Sequence, residues 1–320
     1  DKPAKDHARP AAGNDLEDQT KSSHAESRLV GNVTDLHYLD HYDDCDVIIF
    51  QGAARKNLEQ KFPEGHSFWH RAKTTLDILF EQVPRKQIIG ITGTKGKGTT
   101  TSLIYEMIKT AGIPAVIGGN IGIPVLDLLP QITPETWVVL ELSNFQLYKF
   151  DYSPHIAINL MMIAEHVAEW HKTMDDYVEA KRNIFLHQDD SDVAIYLESN
   201  EYSRSNASFS PGKKLPYFSE PGAFVRENTI VIDKQPVISV DQVGLVGAHN
   251  LQNICAAITA VWQVHQNISA IAEVARTFHG LEHRLQLVRE HNGIRYYDDS
   301  FGTTPDTAVV ALDAFSEPKV

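Results

Sequence analysis

Apolar and polar positions along the chain alternate in blocks that favour strands and helices in turn. Short, almost continuous apolar runs are followed by longer segments in which apolar residues recur every three or four positions. Apolar strands joined by helices are typical of a parallel sheet covered on both faces, so the sequence predicts an α/β fold. The predicted strands span residues 46–50, 87–92, 115–117, 137–142, 155–160 and 193–197. The predicted helices span residues 68–80, 99–111, 174–185, 250–264 and 268–278.

The same pattern divides the chain into four parts. Residues 1–28 are polar, of mixed charge and nearly free of large apolar side chains, so they cannot bury enough surface to offset the entropy of ordering. We expect them to be poorly ordered. Residues 29–84 predict a partial N-terminal α/β domain, residues 85–282 a central domain, and residues 283–320 the beginning of a third domain.

Two regions depart from the regular alternation. Residues 217–240 contain short apolar segments separated by Gly and Pro, which predicts short strands at the edge of the central domain. After His283, residues 285–289 and 294–298 predict two further strands, and we expect a helix from Pro305.

The composition argues against several classes of protein. The formal net charge is −13, with 29 Lys and Arg residues, which disfavours a sequence-independent grip on a nucleic-acid backbone. No apolar run approaches the roughly 20 residues of a membrane span, and no signal-peptide core is visible. Cys45 and Cys255 lie far apart in apolar surroundings, so we expect two buried thiols and neither a disulfide nor a metal knuckle. We expect a cytoplasmic monomer.

A glycine-rich segment lies between the predicted strand at 87–92 and the predicted helix at 99–111. In this position glycines let the backbone wrap a phosphate, the helix N-terminus presents free N–H groups, and a lysine supplies a mobile cation. The spacing departs from the usual loop twice, with Ile91 in place of the first glycine and Gly98 after the lysine in place of Ser or Thr. The alternative is a glycine-rich turn capped by Thr99. The residues of this candidate phosphate loop are Gly93, Thr94, Lys95, Gly96, Lys97, Gly98, Thr99 and Thr100.

Glu141 stands at the end of the predicted strand at 137–142 and is followed by Ser143 and Gln146. Open parallel sheets bind ligands at the carboxyl ends of their strands, so we expect the Glu141 carboxylate to face the same crevice as the loop. There it can hold magnesium, which prefers oxygen ligands. A glutamate at a strand end also occurs as a solvated or capping side chain, and the residues alone leave this alternative open.

A group of His and Lys side chains follows further along the chain. His166 and His171 can bind a metal as neutral imidazoles, and Lys181 lies on the next predicted helix. Their spacing is not that of an ordinary zinc site. The residue types alone therefore do not decide between a functional and a structural role.

Two later groups also admit two interpretations. Asn253 lies in the first turn of a predicted helix, where it can read a base or cap the helix together with its neighbour Asn250. Arg284 and the carboxylate of Asp299 can clamp a nucleotide or form a surface ion pair at a domain joint.

Taken in order along the chain, these motifs resemble those of the Mur ligase family, the ATP-dependent enzymes that build the peptide stem of bacterial peptidoglycan. Residues 118–126 and 141–147 resemble most closely the branch that adds D-glutamate to UDP-N-acetylmuramoyl-L-alanine. The resemblance is strongest between residues 88 and 188. It implies a central P-loop-type domain, a partial N-terminal domain for the UDP-linked substrate, and the start of a Rossmann-like C-terminal domain for the amino acid.

The resemblance also implies roles for individual residues, with ATP and two Mg²⁺ ions as cofactors. The implied catalytic residues are Lys97, Glu141, His166 and Lys181. The implied ATP-binding residues are those of the phosphate loop together with Asn253, Arg284 and Asp299. The implied magnesium ligands are Thr99, Glu141, His166 and Lys181, the last as a carbamylated lysine 15 residues after His166. The implied contacts to the UDP-linked substrate are Asn120, Ser143, Gln146 and His166.

The sequence departs from the family pattern at three points. Gly98 resembles the loop of folylpolyglutamate synthase, a relative that also forms amide bonds to glutamate, and leaves the metal ligand of the loop open. Asp299, Ser300 and Phe301 replace the family's Asp-Ser-Lys, so an expected cation is absent. We expect the N- and C-terminal domains to be incomplete, and a polypeptide that ends at Val320 to bind ATP without completing ligation.

Two alternatives to the D-glutamate-adding branch stay open. The first is folylpolyglutamate synthase or another Mur-type ligase, although residues 118–126 count against the folate enzyme. The second is an inactive nucleotide-binding or scaffold homologue, which Phe301 favours and the joint presence of the four implied catalytic residues disfavours.

Overall fold

The computed structural model describes residues 39–163, 170–283 and 285–300, and after these residues 308, 309, 311, 312, 314, 315 and 318. Contacts group the chain into two compact units, Asp1–Asp44 and Cys45–Val320. In the first unit a 3-10 helix spans Tyr42–Asp44. The segment 1–28 lies outside the described residues, and the division of the second unit at residues 85 and 283 stays a prediction.

The second unit begins with a small α/β segment. Strand β1 (Ile48–Phe50) pairs in parallel with β2 (Ala72–Thr74), and helix α1 (Arg55–Lys61) lies between them in sequence. Helix α2 (Thr75–Gln82) follows β2 directly. The strand predicted at residues 46–50 is confirmed over its last three residues.

The helix predicted for residues 68–80 is wrong in its first half. A 3-10 helix at Ser67–His70 and strand β2 occupy that part of the sequence. Thr74 sets the later start of α2 through its extended backbone (φ −84°, ψ 163°) and a capping box. Its Oγ1 accepts from Asp77 N at 3.1 Å, and Asp77 Oδ2 accepts from Thr74 N at 2.6 Å.

A six-stranded parallel sheet forms the centre of the unit. Its strands are β3 (Ile88–Thr92), β4 (Ala115–Gly119), β5 (Trp137–Glu141), β6 (Ile156–Asn159), β7 (Val193–Leu197) and β8 (Lys213–Tyr217). Their order across the sheet is β4-β5-β3-β6-β7-β8, so β3 lies between β5 and β6. All five residues of β3 are buried.

Helices cover both faces of this sheet, as the near-continuous apolar strands require. The helices after β3 are α3 (Lys97–Thr110), α4 (Val125–Leu128), α5 (Asn144–Leu147), α6 (Met174–Leu186), α7 (Glu201–Ala207), α8 (Ala248–Val261) and α9 (Ile268–Thr277). One apolar core contains Ile91 of β3 and Ile254 of α8, and a second contains Ile88 of β3 and Phe185 of α6. The predicted α/β class is confirmed.

The sequence pattern does not predict β8 or α7. Strand β8 contains Pro216, which cannot donate to a neighbouring strand and is tolerated because β8 lies at the edge of the sheet. Helix α7 is short, and Ser203 fixes it to the sheet. The Ser203 hydroxyl donates to Asn159 O at 2.6 Å and accepts from Leu197 N at 2.9 Å.

Two smaller antiparallel sheets complete the described fold. The first contains β9 (Phe224–Arg226), β10 (Thr229–Ile232) and β11 (Gln235–Ser239), which confirms the short strands predicted between residues 217 and 240. The second pairs β12 (Gln286–His291) with β13 (Ile294–Asp298), which confirms the two predicted strands. The helix expected from Pro305 begins outside the described residues. Within the described part of the chain, no helix is long and apolar enough to cross a membrane.

The prediction for the two cysteines is half correct. Cys255 is buried in α8, but Cys45 is exposed. Cys45 precedes β1, and the apolar residues near it, Val47 and Ile49, are themselves 52% and 54% exposed. Apolar neighbours in sequence therefore do not create a buried environment at this end of the unit.

Thr74→Ala is expected to lower the free energy of unfolding by about 1 kcal/mol, because the substitution removes the hydrogen-bond acceptor that caps α2. If a continuous helix ran from residue 68, position 74 would be interior, and alanine would stabilise it as the better helix former. Urea unfolding followed by circular dichroism measures the difference. Thr75→Ala, one residue inside the helix with the cap intact, is the matched control. Equal changes in the two variants would contradict the assigned start of α2.

Candidate nucleotide-binding site

The candidate phosphate loop connects the carboxyl end of β3 to α3. Gly93 and Gly96 have positive φ angles of +144° and +85°, which side chains disfavour. A Cβ on Gly93 would lie 2.7 Å from Leu160 Cβ, and a Cβ on Gly96 would lie 2.1 Å from Asn253 Oδ1. The loop therefore needs glycine at both positions for its conformation and for its close contacts.

Helix α3 begins immediately after the loop. Gly96 is its N-cap residue, and Thr100 N donates to Gly96 O at 2.9 Å, the first hydrogen bond of the helix. Thr99 and Thr100 are buried in the first turn. The backbone N–H groups of this turn and the positive end of the helix dipole face the loop, an arrangement that favours an anion.

Thr94 anchors the loop to the segment that follows β6. Its amide donates to Met161 O at 2.8 Å, and its hydroxyl donates to Ile163 O and accepts from Ile163 N, both at 3.1 Å. The same hydroxyl is hydrogen-bonded to Tyr177 OH of α6 at 3.0 Å. Thr94 thus holds the loop in place through its side chain. Tyr177, which is 1% exposed, is a site residue that the sequence pattern does not reveal.

Two lysine side chains converge on one backbone oxygen of the loop. Lys97 Nζ donates to Gly93 O at 3.1 Å and to Thr94 O at 2.9 Å. Lys181 Nζ of α6 donates to the same Gly93 O at 2.9 Å and to Thr92 Oγ1 at 3.2 Å. Lys181 is only 1% exposed, and its Nζ lies 4.8 Å from the centre of the Tyr177 ring. The two predicted catalytic lysines therefore lie side by side.

Glu141, at the end of β5, lies against the first turn of α3. The side chain is 7% exposed, and Oε2 would be 3.2 Å from a Cβ on Gly98. Its other oxygen, Oε1, accepts a hydrogen bond from Asn120 Nδ2 at 3.1 Å. The structure thus brings the predicted magnesium-binding carboxylate next to the loop, as expected from its place at the strand end.

Ser143 and Gln146, predicted to contact the substrate, bind each other in a capping box at the start of α5. Gln146 Oε1 accepts from Ser143 N at 2.9 Å and from Ser143 Oγ at 3.0 Å, and Gln146 N donates to Ser143 Oγ at 3.3 Å. Asn144, between them, places Nδ2 2.8 Å from His171 Nε2. Contact of Ser143 and Gln146 with a substrate stays a prediction.

Asn253 brings the start of α8 to the loop. Its Nδ2 donates to Asn250 Oδ1 at 2.9 Å, and Asn250 Nδ2 donates to Val246 O at 2.6 Å. The Oδ1 atom of Asn253 occupies the space that a side chain on Gly96 would need. Both asparagines therefore fix the helix start against the loop, and a contact of Asn253 with adenine stays a prediction.

The remaining predicted residues lie elsewhere or outside the description. His166 and Arg284 are not among the described residues. Asp299 Oδ1 accepts from Leu285 N at 3.1 Å beside the β12–β13 pair. Its neighbour Asp298 accepts from His283 Nδ1 at 2.6 Å. This hydrogen bond, together with those from Ser300, lowers the pKa of Asp298 to about 2, and the Asp298 carboxylate raises the pKa of His283.

The small N-terminal α/β segment contacts the site from the side of α5. A Cβ on Gly52 would lie 2.3 Å from Phe145 O, so the backbones touch directly. Lys56 Nζ of α1 donates to Trp170 O at 2.7 Å and lies 4.0 Å from the centre of the Trp170 ring. Partial burial lowers the pKa of Lys56. These contacts fix the segment beside the predicted substrate residues.

The assembled site combines a glycine loop, a helix N-terminus, two lysines and one buried carboxylate. In the part of the chain that the structure describes, no three His, Cys, Asp or Glu side chains converge as a metal site of their own. The arrangement suits a polyphosphate accompanied by a divalent cation.

Gly96→Ala is expected to destabilise the protein at least twice as much as Gly112→Ala. Both positions have positive φ (+85° and +79°), so alanine is strained at either by about 1 kcal/mol. Only at Gly96 would the new Cβ also meet Asn253 Oδ1, because nothing lies within 4 Å of a Cβ at Gly112. Urea unfolding measures both losses. Adding Asn253→Ala to Gly96→Ala should remove the part of the destabilisation that exceeds that of Gly112→Ala. Equal destabilisation by Gly96→Ala and Gly112→Ala would contradict the close contact.

The sequence of the chain is similar to those of known ligases. It is 34% identical over 287 residues to UDP-N-acetylmuramoylalanine–D-glutamate ligase of Clostridium kluyveri, an alignment that covers 88% of this chain and 62% of the relative. It is 36% identical over 289 residues to the ligase of the same name from Acetivibrio thermocellus, covering 88% of this chain and 61% of that protein. The chain thus spans about three fifths of the length of these curated relatives.

Solved structures agree on the fold. The MurF structure from Acinetobacter baumannii superimposes with a TM-score of 0.61 at 18% identity, over 75% of this chain and 56% of that one. The MurF ligase of Thermotoga maritima in complex with ADP gives a TM-score of 0.59 at 18% identity, over 76% and 62% of the two chains. The sequence model of the Mur ligase middle domain matches residues 91–261. Because this match alone covers more than half of the chain, from β3 to the end of α8, the chain belongs to the Mur ligase family.

Proposed function

We propose that this chain forms the ATP-binding and catalytic part of a ligase that joins D-glutamate to UDP-N-acetylmuramoyl-L-alanine in peptidoglycan precursor synthesis. The observation that carries the proposal is the convergence of Lys97 and Lys181 on Gly93 O, with Glu141 beside the same loop. The similarity to two D-glutamate ligases supports the choice of substrates. An enzyme that consumes ATP and a UDP-linked precursor would work in the cytoplasm.

The proposed reaction proceeds through an acyl phosphate. A carboxylate does not condense with an amine in water, so one oxygen of the alanyl carboxylate first attacks the γ-phosphorus of ATP, and ADP leaves. The amine of D-glutamate then attacks the acyl carbon, the C–N bond forms, inorganic phosphate leaves, and the nitrogen loses a proton. Phosphoryl transfer of this kind is promoted mainly by positioning and by stabilisation of charge.

The residues of the loop supply both requirements. Backbone N–H groups at the start of α3 would orient the phosphates, and Lys97 would leave its carbonyl partners to follow the negative charge on the terminal phosphate. Asn253, which lies directly beside Gly96, would contribute to ATP binding next to the loop. Thr94, Thr99 and Thr100 of the loop are buried, and the reduced contact with water there strengthens these interactions.

The donor set around Glu141 fits Mg²⁺, a cation that prefers oxygen ligands. The carboxylate is buried, its Oε2 faces Gly98, and the hydroxyl of Thr99 lies in the same helical turn. Glu141 and Thr99 would hold one ion, and His166 with Lys181 a second. When bound, Mg²⁺ neutralises charge on the phosphate oxygens.

Lys181 would join the metal ligands as a carbamate. Its neutral amine would add to carbon dioxide, forming an N–C bond and releasing one proton. The geometry supports this step because a neutral amine on Lys181 removes the repulsion between two ammonium groups that share Gly93 O. The modified side chain would present two carboxylate-like oxygens.

The complete gene product is expected to release phosphate from ATP only when Mg²⁺, UDP-N-acetylmuramoyl-L-alanine and D-glutamate are all present. A coupled assay for ADP, run with one amino acid at a time, measures the acceptor preference. Release with a different amino acid would identify another Mur-type ligase. Release with a folate and L-glutamate would identify the folate enzyme that Gly98 suggests, and either result would refute the proposed substrates.

In the same assay Lys97→Ala is expected to lower kcat/KM at least about 100-fold, because a preorganised charge contact to the transferred phosphate is lost. Lys109→Ala, at the exposed end of the same helix, is the matched control and should leave the rate unchanged. An unimpaired Lys97→Ala enzyme would refute the role of the loop.

Carbamylation of Lys181 is expected to give a carbamate resonance in ¹³C NMR spectra of protein equilibrated with ¹³C-bicarbonate. Lys181→Gln should abolish the resonance. Lys56→Gln is the control, because partial burial lowers the pKa of Lys56 but its replacement should leave the resonance in place. A resonance that persists in Lys181→Gln, or none in the parent protein, would contradict the assignment.

A further inference from the structure

The carboxylate of Glu141 has to be oriented by the protein if it is to serve a cation beside the loop. A carboxylate can rotate about its last bond. Burying it is energetically unfavourable unless hydrogen bonds satisfy its oxygens. Glu141 is 7% exposed, so water satisfies little of it. The residue that fixes its direction decides which oxygen faces the loop.

Asn120 makes two hydrogen bonds to Glu141. Its backbone N donates to Glu141 O at 2.8 Å, and its side-chain Nδ2 donates to Glu141 Oε1 at 3.1 Å. The opposite orientation of the amide would set two oxygens against each other, so chemistry selects the nitrogen for this contact. One residue therefore holds both the main chain and the side chain of Glu141.

The backbone before Asn120 leaves little freedom in this arrangement. Gly119 has φ of +99°, and a Cβ there would lie 2.2 Å from Glu141 O. Gly119 and Glu141 are direct neighbours in the register of β4 and β5. The close approach of β4 and β5 thus places the Asn120 side chain within hydrogen-bond distance of Glu141 Oε1.

The second oxygen of Glu141 faces the loop at the position where a side chain is missing. A Cβ on Gly98 would lie 3.2 Å from Oε2 and 3.0 Å from Leu281 Cδ1, so even alanine would crowd this space. With no hydroxyl at position 98, the cation proposed to bind Glu141 and Thr99 needs Oε2 to point toward the loop. Its affinity then depends on how firmly Oε1 is held.

We infer that Asn120 is a positioning residue that directs Glu141 Oε2 toward the phosphate loop, in addition to the substrate contact predicted for it. The inference rests on the proposed function, because it assigns Glu141 to a divalent cation. Hydrogen-bond partners of metal-binding carboxylates typically change metal affinity by about 10-fold or more. Asn120 should have that effect even when no UDP-linked substrate is bound.

The test measures Mn²⁺ binding by electron paramagnetic resonance on the full chain, with a non-hydrolysable ATP analogue and no UDP-linked substrate. Asn120→Ala is expected to raise the Kd for Mn²⁺ about 10-fold. Because Asn120 acts through Glu141, adding Asn120→Ala to Glu141→Gln should cause no further loss. A residue that only contacts the substrate would leave both measurements unchanged.

Asn228→Ala is the matched control. Asn228 Nδ2 also donates to a carboxylate, Asp241 Oδ2 at 2.6 Å, but Asn228 lies in the turn between β9 and β10, so its loss should not alter Mn²⁺ binding. Thermal unfolding checks that the variants are folded. If Asn120→Ala is not folded, Asn120→Leu replaces it, because leucine keeps the branched shape without the hydrogen-bond donor. The same rise in the Kd for Mn²⁺ is then expected for Asn120→Leu.

The possible results separate this inference from the proposed function. If the parent chain binds Mn²⁺ with the nucleotide and Asn120→Ala changes the Kd less than 2-fold, the positioning role is overturned and the proposed function stands. An equal loss in the Glu141→Gln background also overturns it. A parent chain in which the nucleotide does not promote Mn²⁺ binding overturns both.

Discussion

The carbonyl oxygen of Gly93 is the contact on which the geometry of the site depends. Lys97 reaches it from α3 on one face of the central sheet, and Lys181 reaches it from α6 on the other face. This position requires glycine, because the backbone has a φ of +144° and a Cβ would collide with Leu160. A single backbone group thus connects the loop to both helical layers, and a shift of either layer would move a charged group within the site.

The local parts of this arrangement could be predicted from the sequence, because strand, glycine loop and helix follow one another directly. Glu141 was also predictable, since the end of a parallel strand fixes which edge of the sheet it occupies. Contacts between distant segments were not. Thr94 meets Tyr177 across 83 positions and Asn120 meets Glu141 across 21, and no periodicity marks either pair.

Other differences had a visible signal in the sequence. Thr74 with Asp77, and Ser143 with Gln146, have the spacing of a capping box, which marks the start of a helix. The apolar pattern over residues 68–80 outweighed that signal, although the cap fixes the helix start by hydrogen bonds. For Ser143 and Gln146 the cap supplies a structural reason for residue types that the family resemblance attaches to the substrate. The two explanations are compatible, because a capped helix start is also a rigid one.

A lysine at position 181 can serve a purpose that a glutamate there cannot. The Lys181 amine already reaches Gly93 O at 2.9 Å, and a carbamate on that nitrogen would extend several bonds further from the backbone than a glutamate carboxylate. Modification would also change the side chain from one positive to one negative charge beside Lys97. The loop of an otherwise acidic chain could then present a cation to the phosphates and an anion to the metal from neighbouring positions. Separating these two charges needs a long side chain on a rigid helix, and the buried, hydrogen-bonded setting of α6 provides the rigidity.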